Sequence, residues 1–445
     1  MMRTFLLICG FHFLQCCAFA QSNQWTWMKG DSAIYNSLTG VYGTQGVGSP
    51  SNKPGSRNGG ATWTDASGNF WLFGGSGYGE QYVPGFLNDM WKYNPATNQW
   101  TWIKGTKLTG QKGIYGTLGA ANAANNPGGR FVSVTWTDAS GNLWLFGGFG
   151  FDEASVSSGR LNDLWKYNPT TNQWTWVNGD KQINKFGVYG TLGTPAAANK
   201  PGSRYRSMSW LDASGNMWLL GGDGFGESGS SGRLNDLWRY NPTTNQWTWM
   251  KGDKLINING IYGTQGTAAA TNKPGTRYGA VTWKDASGIF WMMGGVGYGE
   301  TGTSGFLNDL WKFSTVTNNW TWVNNDKTIN STGVYGTQGV AAGTNKPGGR
   351  SYSSAWTDAS NNLWVFGGSG FPESAAFSGR LNDLWKYNIS TNQWTWVKGS
   401  KVTDQLNVYG QQGIEAAGNT PGCRDFSQSW KDASGIFTSL WFRLG

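Results

Sequence analysis

The chain has 445 residues, of which only 13% are charged, and its net charge is +9. Lysines and arginines recur at separated positions rather than in a basic run or helix, which argues against nucleic-acid binding. The only histidine, His12, and three of the four cysteines lie before residue 21. The remainder offers no imidazole and no thiol pair for a metal site, so we expect no cofactor and no metal.

The first 20 residues have the pattern of a secretory signal peptide. Arg3 precedes a mostly apolar run, and Ala18-Phe19-Ala20 forms a cleavage motif before Gln21. The run is too short to anchor the chain, and no later stretch reaches the ~18 apolar residues of a membrane span. We expect a secreted, cell-surface or periplasmic monomer that, with Cys423 alone, has no internal disulfide.

After the signal peptide, the sequence repeats every 73 or 74 residues. Its clearest marker, Leu-Asn-Asp-Leu-Trp-Lys-Tyr-Asn-Pro, occupies Leu161–Pro169 and has variants beginning at Leu87, Leu234, Leu307 and Leu381. A period of this length predicts stacked supersecondary units that bury their faces against one another.

Four short strands are predicted in each unit. In the first unit they are Gly60–Thr64, Phe70–Phe73, Met90–Tyr93 and Gln99–Ile103, with a tight turn at Asp65–Asn69. Glycine is abundant, at 69 residues, and no segment has a sustained helical period. Four antiparallel strands per unit predict the blades of a β-propeller.

Six blades are expected, of which five are complete. Their predicted spans are 57–103, 130–177, 204–250, 277–323, 350–397, and 424–445 together with 24–28. The strand at 24–28 resembles a fourth strand and would close the ring on the last blade. Beyond Phe437 the sequence departs from the repeat. Two explanations stay open: a truncated or frame-shifted copy, or an irregular second strand beside a gap.

A glycine doublet after an apolar strand, followed by spaced aromatic residues, recurs in every complete unit. In the first unit these are Gly74-Gly75, Trp91, Tyr93 and Trp100. The pattern resembles the kelch repeat, and it implies an all-β, kelch-type β-propeller of the galactose oxidase central-domain superfamily.

The same resemblance raises two enzymatic activities. A copper oxidase site would need two histidines and a cysteine cross-linked to tyrosine, which the mature chain lacks, so we reject that chemistry. An activity like that of sialic-acid mutarotase stays an alternative. Against it, the blades are nearly identical and none has a unique acid–base set. We therefore expect a non-catalytic member.

An arginine begins the first strand of each unit, near the expected mouth of the central channel. One interpretation is a bidentate, partly buried ion pair with an aspartate of the third strand; the other is an anion-binding ring. These channel-mouth arginines are Arg57, Arg130, Arg204, Arg277, Arg350 and Arg424.

The loops between second and third strands repeat an aromatic residue followed two positions later by glutamate. Aromatic faces beside carboxylates suit neutral sugars, and loops on a rigid scaffold often carry function. Alternatively, each glutamate caps loop amides and each aromatic residue packs under the loop. The candidate ligand rim comprises Tyr78, Glu80, Phe151, Glu153, Phe225, Glu227, Tyr298, Glu300, Phe371 and Glu373.

The 29 tryptophans fall at repeat positions, so we expect them to form core rather than sugar platforms. The leading hypothesis is an exported, non-catalytic propeller whose loop rim binds a glycan or an extracellular protein. The alternatives are a purely structural or protein-interaction module of a surface assembly, and the mutarotase-like enzyme.

Overall fold

A computed structural model describes residues 25–26, 39–154, 157–374, 377–426, 428–431 and 437–440. The predicted signal peptide, residues 1–20, lies outside these ranges, as does much of the predicted sixth blade. The described residues form strands, turns and loops. None of them belongs to a helix long and apolar enough to cross a membrane.

Five antiparallel sheets make up most of the described chain. Each consists of a first strand in two pieces followed by three longer strands. The first sheet contains Arg57–Asn58, Ala61–Thr64, Phe70–Tyr78, Pro84–Asn94 and Gln99–Lys104. The second contains Arg130–Phe131, Val134–Thr137, Leu143–Gly150, Gly159–Asn168 and Gln173–Asn178, with Ala121–Asn122 at its outer edge.

The other three sheets repeat this arrangement. The third contains Arg204–Tyr205, Met208–Leu211, Met217–Phe225, Ser231–Asn241 and Gln246–Lys251. The fourth contains Arg277–Tyr278, Val281–Lys284, Phe290–Tyr298, Ser304–Ser314 and Asn319–Asn324. The fifth contains Arg350–Ser351, Ser354–Thr357, Leu363–Gly370, Gly379–Asn388 and Gln393–Lys398.

The first strands stand side by side around a ring, each in contact with the first strand of the next sheet. A tryptophan on the first strand fixes this order, because its indole donates to the backbone of the next blade. Trp63 donates to the Trp144 carbonyl at 3.1 Å and Trp136 to the Trp210 carbonyl at 3.0 Å. The predicted all-β propeller with five four-stranded blades is confirmed.

The predicted sixth, incomplete blade stays a prediction. A hairpin of Gln428–Lys431 and Phe437–Leu440 contacts the first strands of both the first and fifth blades. The Trp430 indole donates to the Trp71 carbonyl at 3.1 Å. Near the start of the chain, Trp25–Thr26 pairs with Glu415–Ala416.

The core lies between neighbouring blades rather than inside single ones. For example, Trp63 and Phe73 of the first blade form one buried cluster with Trp165 and Trp174 of the second. The fully buried side chains include ten tryptophans, and each of the five blades contributes between one and three of them. The tryptophans that fill these interfaces are therefore structural, because burial of an aromatic ring supplies much apolar stabilisation.

Three strands depart from the predicted pattern. The second strand of the first blade does not end at Phe73 but continues through the glycine doublet to Tyr78. The third strand of the first blade begins at Pro84, because residues beyond the glycine bulge pair again, with Gly75 opposite Leu87 and Gly77 opposite Gly85. The first strand is broken at Gly59, whose φ is +60°. Left-handed backbone at this position separates the short inner piece from the longer one.

Candidate functional site

The arginine of each first strand lies in a buried cluster. In the third blade, Arg204 donates to both carboxylate oxygens of Asp236, at 2.6 and 2.8 Å, and both side chains are 0% exposed. The Tyr189 hydroxyl and Trp238 indole donate to the same carboxylate at 2.6 and 2.7 Å. The same ion pair recurs in Arg57–Asp89, Arg130–Asp163, Arg277–Asp309 and Arg350–Asp383.

The arginines also hold the backbone around them. Arg204 donates to the carbonyls of Gly202 and Gly221, which join the incoming loop to the glycine bulge. Burial alone would lower the pKa of Arg204, but the Asp236 carboxylate raises it above its ordinary value. These five arginines are therefore buried ion-pair partners and not an exposed anion-binding ring. Arg424 is also buried, and burial lowers its pKa to about 10.

The rim glutamates pair with lysines of the following loop. Glu80 lies 2.9 Å from Lys107, whose ammonium also sits over the Trp102 ring at 5.3 Å. The other pairs are Glu153–Lys181, Glu227–Lys254, Glu300–Lys327 and Glu373–Lys401. The carboxylates stay partly exposed, so these are surface ion pairs of small energetic weight.

The rim aromatic residues have other neighbours. Phe151 packs against Phe86 and Phe371 against Phe306, each at a centroid distance of 6.0 Å. Tyr78 contacts Tyr82, Phe225 contacts Phe186 and lies under Arg160, and Tyr298 lies under Arg233. Most of these rings are thus partly covered by a side chain of the preceding blade, while the glutamates are engaged by lysines.

A second set of residues, which the sequence patterns did not single out, forms what we call the channel mouth. It contains the residue after each first-strand arginine and its cross-strand partners on the second and third strands. The five rows are Asn58–Ser76–Phe86, Phe131–Phe149–Arg160, Tyr205–Asp223–Arg233, Tyr278–Val296–Phe306 and Ser351–Ser369–Arg380. Asp425 follows Arg424 at the matching position.

Each third-strand residue of the channel mouth reaches over to the next blade. Phe86 stacks on Phe131 at 5.2 Å. Arg160 donates to the Asp223 carboxylate at 2.9 and 2.6 Å. Arg380 lies 3.4 Å from Asp425. The chemistry of the mouth therefore differs from one pair of blades to the next. The contact between the first and second blades is aromatic, whereas those made by Arg160 and Arg380 are ionic.

The residues that break the first strands encircle the channel axis. They are Gly59, Val132, Arg206, Gly279, Tyr352 and Phe426, all with φ between +52° and +65°. Their backbones are linked in series, because the N–H of each member after Gly59 donates to the carbonyl of the preceding member at 2.6 to 3.3 Å. Such a conformation is unfavourable for a β-branched or bulky residue, so the surrounding ring holds it in place.

One of these axial residues places a charge in the middle of the mouth. The Arg206 guanidinium lies 4.7 Å from the ring centre of Tyr205, 5.1 Å from Tyr278, 5.3 Å from Tyr352 and 5.7 Å from Phe426. Cation–π contacts with these four aromatic rings hold the guanidinium at the channel axis.

A comparison of the repeats with one another could have found the mouth. The marker motif and the tryptophans hardly change between blades, whereas the mouth positions switch between aromatic, basic, acidic and small residues.

The described residues contain no group of three or more cysteine, aspartate or glutamate side chains that could hold a metal ion.

Comparison with known proteins agrees with this architecture. Residues 140–176 and 360–396 match the family model of the Kelch motif, and each stretch runs from the turn after a first strand into the fourth strand of the same blade. The chain is a kelch-repeat propeller.

Relatives of this kelch-repeat propeller include the multiple epidermal growth factor-like domains protein 8 of Homo sapiens, 26% identical over 337 residues. That match covers 73% of this chain and 10% of the relative. The protein of the same name from Rattus norvegicus is 26% identical over 298 residues, which are 65% of this chain and 8% of the relative. The chain spans about a tenth of the length of these relatives.

Proposed function

We propose that this protein is an exported, non-catalytic propeller that binds an extracellular protein through its channel mouth. The observation that carries the proposal is the distribution of differences among the blades. Positions that build the blades repeat almost unchanged, whereas the mouth rows differ in size, charge and polarity. A repeated scaffold with one chemically varied surface is suited to the recognition of an asymmetric partner.

Several features support a binding role. The mouth combines partly exposed aromatic and arginine side chains, which are enriched in the energetic centres of protein interfaces. Kelch-type propellers suit interaction scaffolds, and relatives named for epidermal growth factor-like domains are compatible with an extracellular location. Export itself rests on the signal-peptide pattern of residues 1–20.

A glycan is the second candidate ligand, and it would use the rim aromatics rather than the mouth. Phe225 and Tyr298 are partly exposed, and a carboxylate lies two residues further along in each loop. However, Glu227 and Glu300 already pair with Lys254 and Lys327. A sugar hydroxyl would therefore compete with an ammonium for each carboxylate, which makes the mouth the better candidate.

The test is a selection of binding peptides from a random displayed library, together with a glycan array, on the folded chain after signal removal. We expect selected peptides to lose binding to a Phe86→Ala, Phe306→Ala double variant and to keep binding to Leu192→Ser on the perimeter. Thermal melts establish that the variants are folded. Binding of glycans alone, abolished by Phe225→Ala and Tyr298→Ala, would replace this proposal with the glycan role.

A further inference from the structure

We infer that the sector of the mouth between the third and fourth blades is a carboxylate-binding subsite that receives an acidic side chain of a protein partner. The subsite consists of Arg233, Arg206, Tyr278 and Tyr298. The inference rests on the proposed function and specifies the chemistry of the partner.

Arg233 is half-buried and reaches from the third blade over two rings of the fourth. Its guanidinium lies 5.4 Å from the ring centre of Tyr278 and 5.9 Å from that of Tyr298. Arg206 stacks on the same Tyr278 ring at 5.1 Å. Two guanidinium groups therefore converge on one aromatic ring at the mouth.

Among the described residues, neither of these arginines has a carboxylate within ion-pair distance. Their Nε atoms are both buried, and neither makes a hydrogen bond to another described residue. Asp223 lies opposite Arg233 in the same sheet, but its carboxylate is bound by Arg160. Because the Nε atoms are buried, a carboxylate of a partner would approach the remaining N–H groups of the two guanidinium groups, which can bind it with bidentate geometry.

The neighbouring sectors show which group fits the position. Arg160, which corresponds to Arg233 in the preceding blade, binds the carboxylate of Asp223, and Arg380 lies beside Asp425. The residue of the fourth blade that corresponds to Asp223 is Val296. The protein thus supplies an internal carboxylate to two of the three arginines, and a valine faces the third. Arginine binds carboxylates with bidentate geometry and added strength, which identifies the missing group.

The surroundings favour an acidic side chain over an acidic sugar. The row to which Tyr278 belongs continues with Val296 and Phe306, which are both apolar. This surface accommodates the aliphatic and aromatic side chains of a peptide, whereas a uronic acid would present several hydroxyls with few groups to receive them.

The probe for this subsite is a fluorescent oligo-L-glutamate of about ten residues, titrated by anisotropy at low salt. We expect the full chain to bind it and Arg233→Gln to bind at least about tenfold more weakly. Val296→Asp should weaken binding similarly, because it supplies Arg233 with an internal carboxylate as Asp223 does for Arg160. Asp223→Asn should strengthen binding, because it frees Arg160.

The matched control is Val316→Asp, which introduces the same charge at a side chain that is 92% exposed and remote from the mouth. Equal weakening by this control, no binding by the unmodified chain, or unchanged binding by a folded Arg233→Gln variant would each overturn the inference. Tighter binding of oligogalacturonate, lost in Arg233→Gln, would overturn the choice of peptide. Because the Phe86 and Phe306 variants test partner binding separately, failure of the subsite is distinguishable from failure of the proposed function.

Discussion

One aspartate in each complete blade accepts hydrogen bonds from three side chains of different segments. In the third blade, Asp236 joins Arg204 of the first strand, Tyr189 of the long loop and Trp238 of its own strand. The cluster is buried and recurs in all five complete blades. This explains why every copy of the marker motif contains the aspartate. Its role is to fix strands and loop together rather than to bind a ligand.

Replacement of this aspartate should be among the most destabilising changes in the chain. In Asp236→Asn the buried Arg204 loses its compensating charge, and we expect the free energy of unfolding to fall by about 3–5 kcal/mol. Urea denaturation followed by tryptophan fluorescence measures the change. Glu227→Gln, which removes an exposed pair with Lys254, is the control and should cost no more than about 1 kcal/mol. Similar losses in the two variants would contradict the structural role of Asp236.

The buried tyrosines should make the fold sensitive to alkali. Burial, reinforced by the Asp236 carboxylate, raises the pKa of Tyr189 well above its ordinary value, and Tyr115 and Tyr262 are in the same situation. Above about pH 10 these tyrosines lose protons in the unfolded chain but keep them in the folded one. Stability should therefore be retained below pH 10 and fall as the pH rises further. Unfolding curves that coincide at pH 9 and pH 11 would contradict this.

At the scale of single elements, the glycine doublet forms a β-bulge in each second strand. Beyond this bulge the strand continues to the channel mouth. In the second blade Gly147 has a φ of +60°, and a Cβ there would lie 2.7 Å from the Arg204 carbonyl oxygen of the next blade. The doublet is needed both for left-handed backbone and for close approach between blades.

Gly147→Ala should therefore lower the free energy of unfolding by more than about 2 kcal/mol, because a clash adds to the conformational penalty. The comparison is Gly141→Ala, where φ is +77° but no atom lies within 4 Å of the added Cβ. This control carries the conformational penalty alone, about 1 kcal/mol. Equal thermal melts for the two variants would show that blade contact at Gly147 has no energetic weight.

The elements were largely predictable because their signals are local. Alternating tryptophans marked the fourth strands, and Asp65–Asn69 marked a turn in which Asp65 accepts from the amides of Ser67 and Asn69. The early start of the third strand at Pro84 was not predictable, since it depends on how pairing resumes after the bulge. The break at Val132 was equally hidden, because left-handed backbone there is imposed by its neighbours around the axis.

At the scale of the whole molecule, ring formation brings together residues that no motif connects. The six axial residues are about 73 residues apart in the sequence, yet their backbones form one hydrogen-bonded series. Arg206 meets Phe426 only because the ring brings the end of the chain back beside the middle blades. The regular spacing drew attention to the repeated arginine, which is buried, whereas the mouth is recognised only when corresponding positions of the repeats are compared for their differences.

The sequence-based rim shows the same limitation. The pattern placed an aromatic residue and a glutamate in each loop, but not the lysine that engages the glutamate or the third-strand residue that covers the ring. Phe371 and Glu373, for example, contact Phe306 and Lys401 respectively. These partners come from another blade or from the following loop, and the spacing within one loop gives no sign of them.

The central claim, that a partner binds at the channel mouth, is tested most directly by hydrogen–deuterium exchange of the full chain with a saturating selected peptide. We predict slower amide exchange in the segments around Phe131, Tyr205, Tyr278 and Val296, with the perimeter loops around Val47 and Leu192 unchanged. Protection confined to those perimeter loops, or to the rim loops around Glu80 and Glu153, would contradict the account.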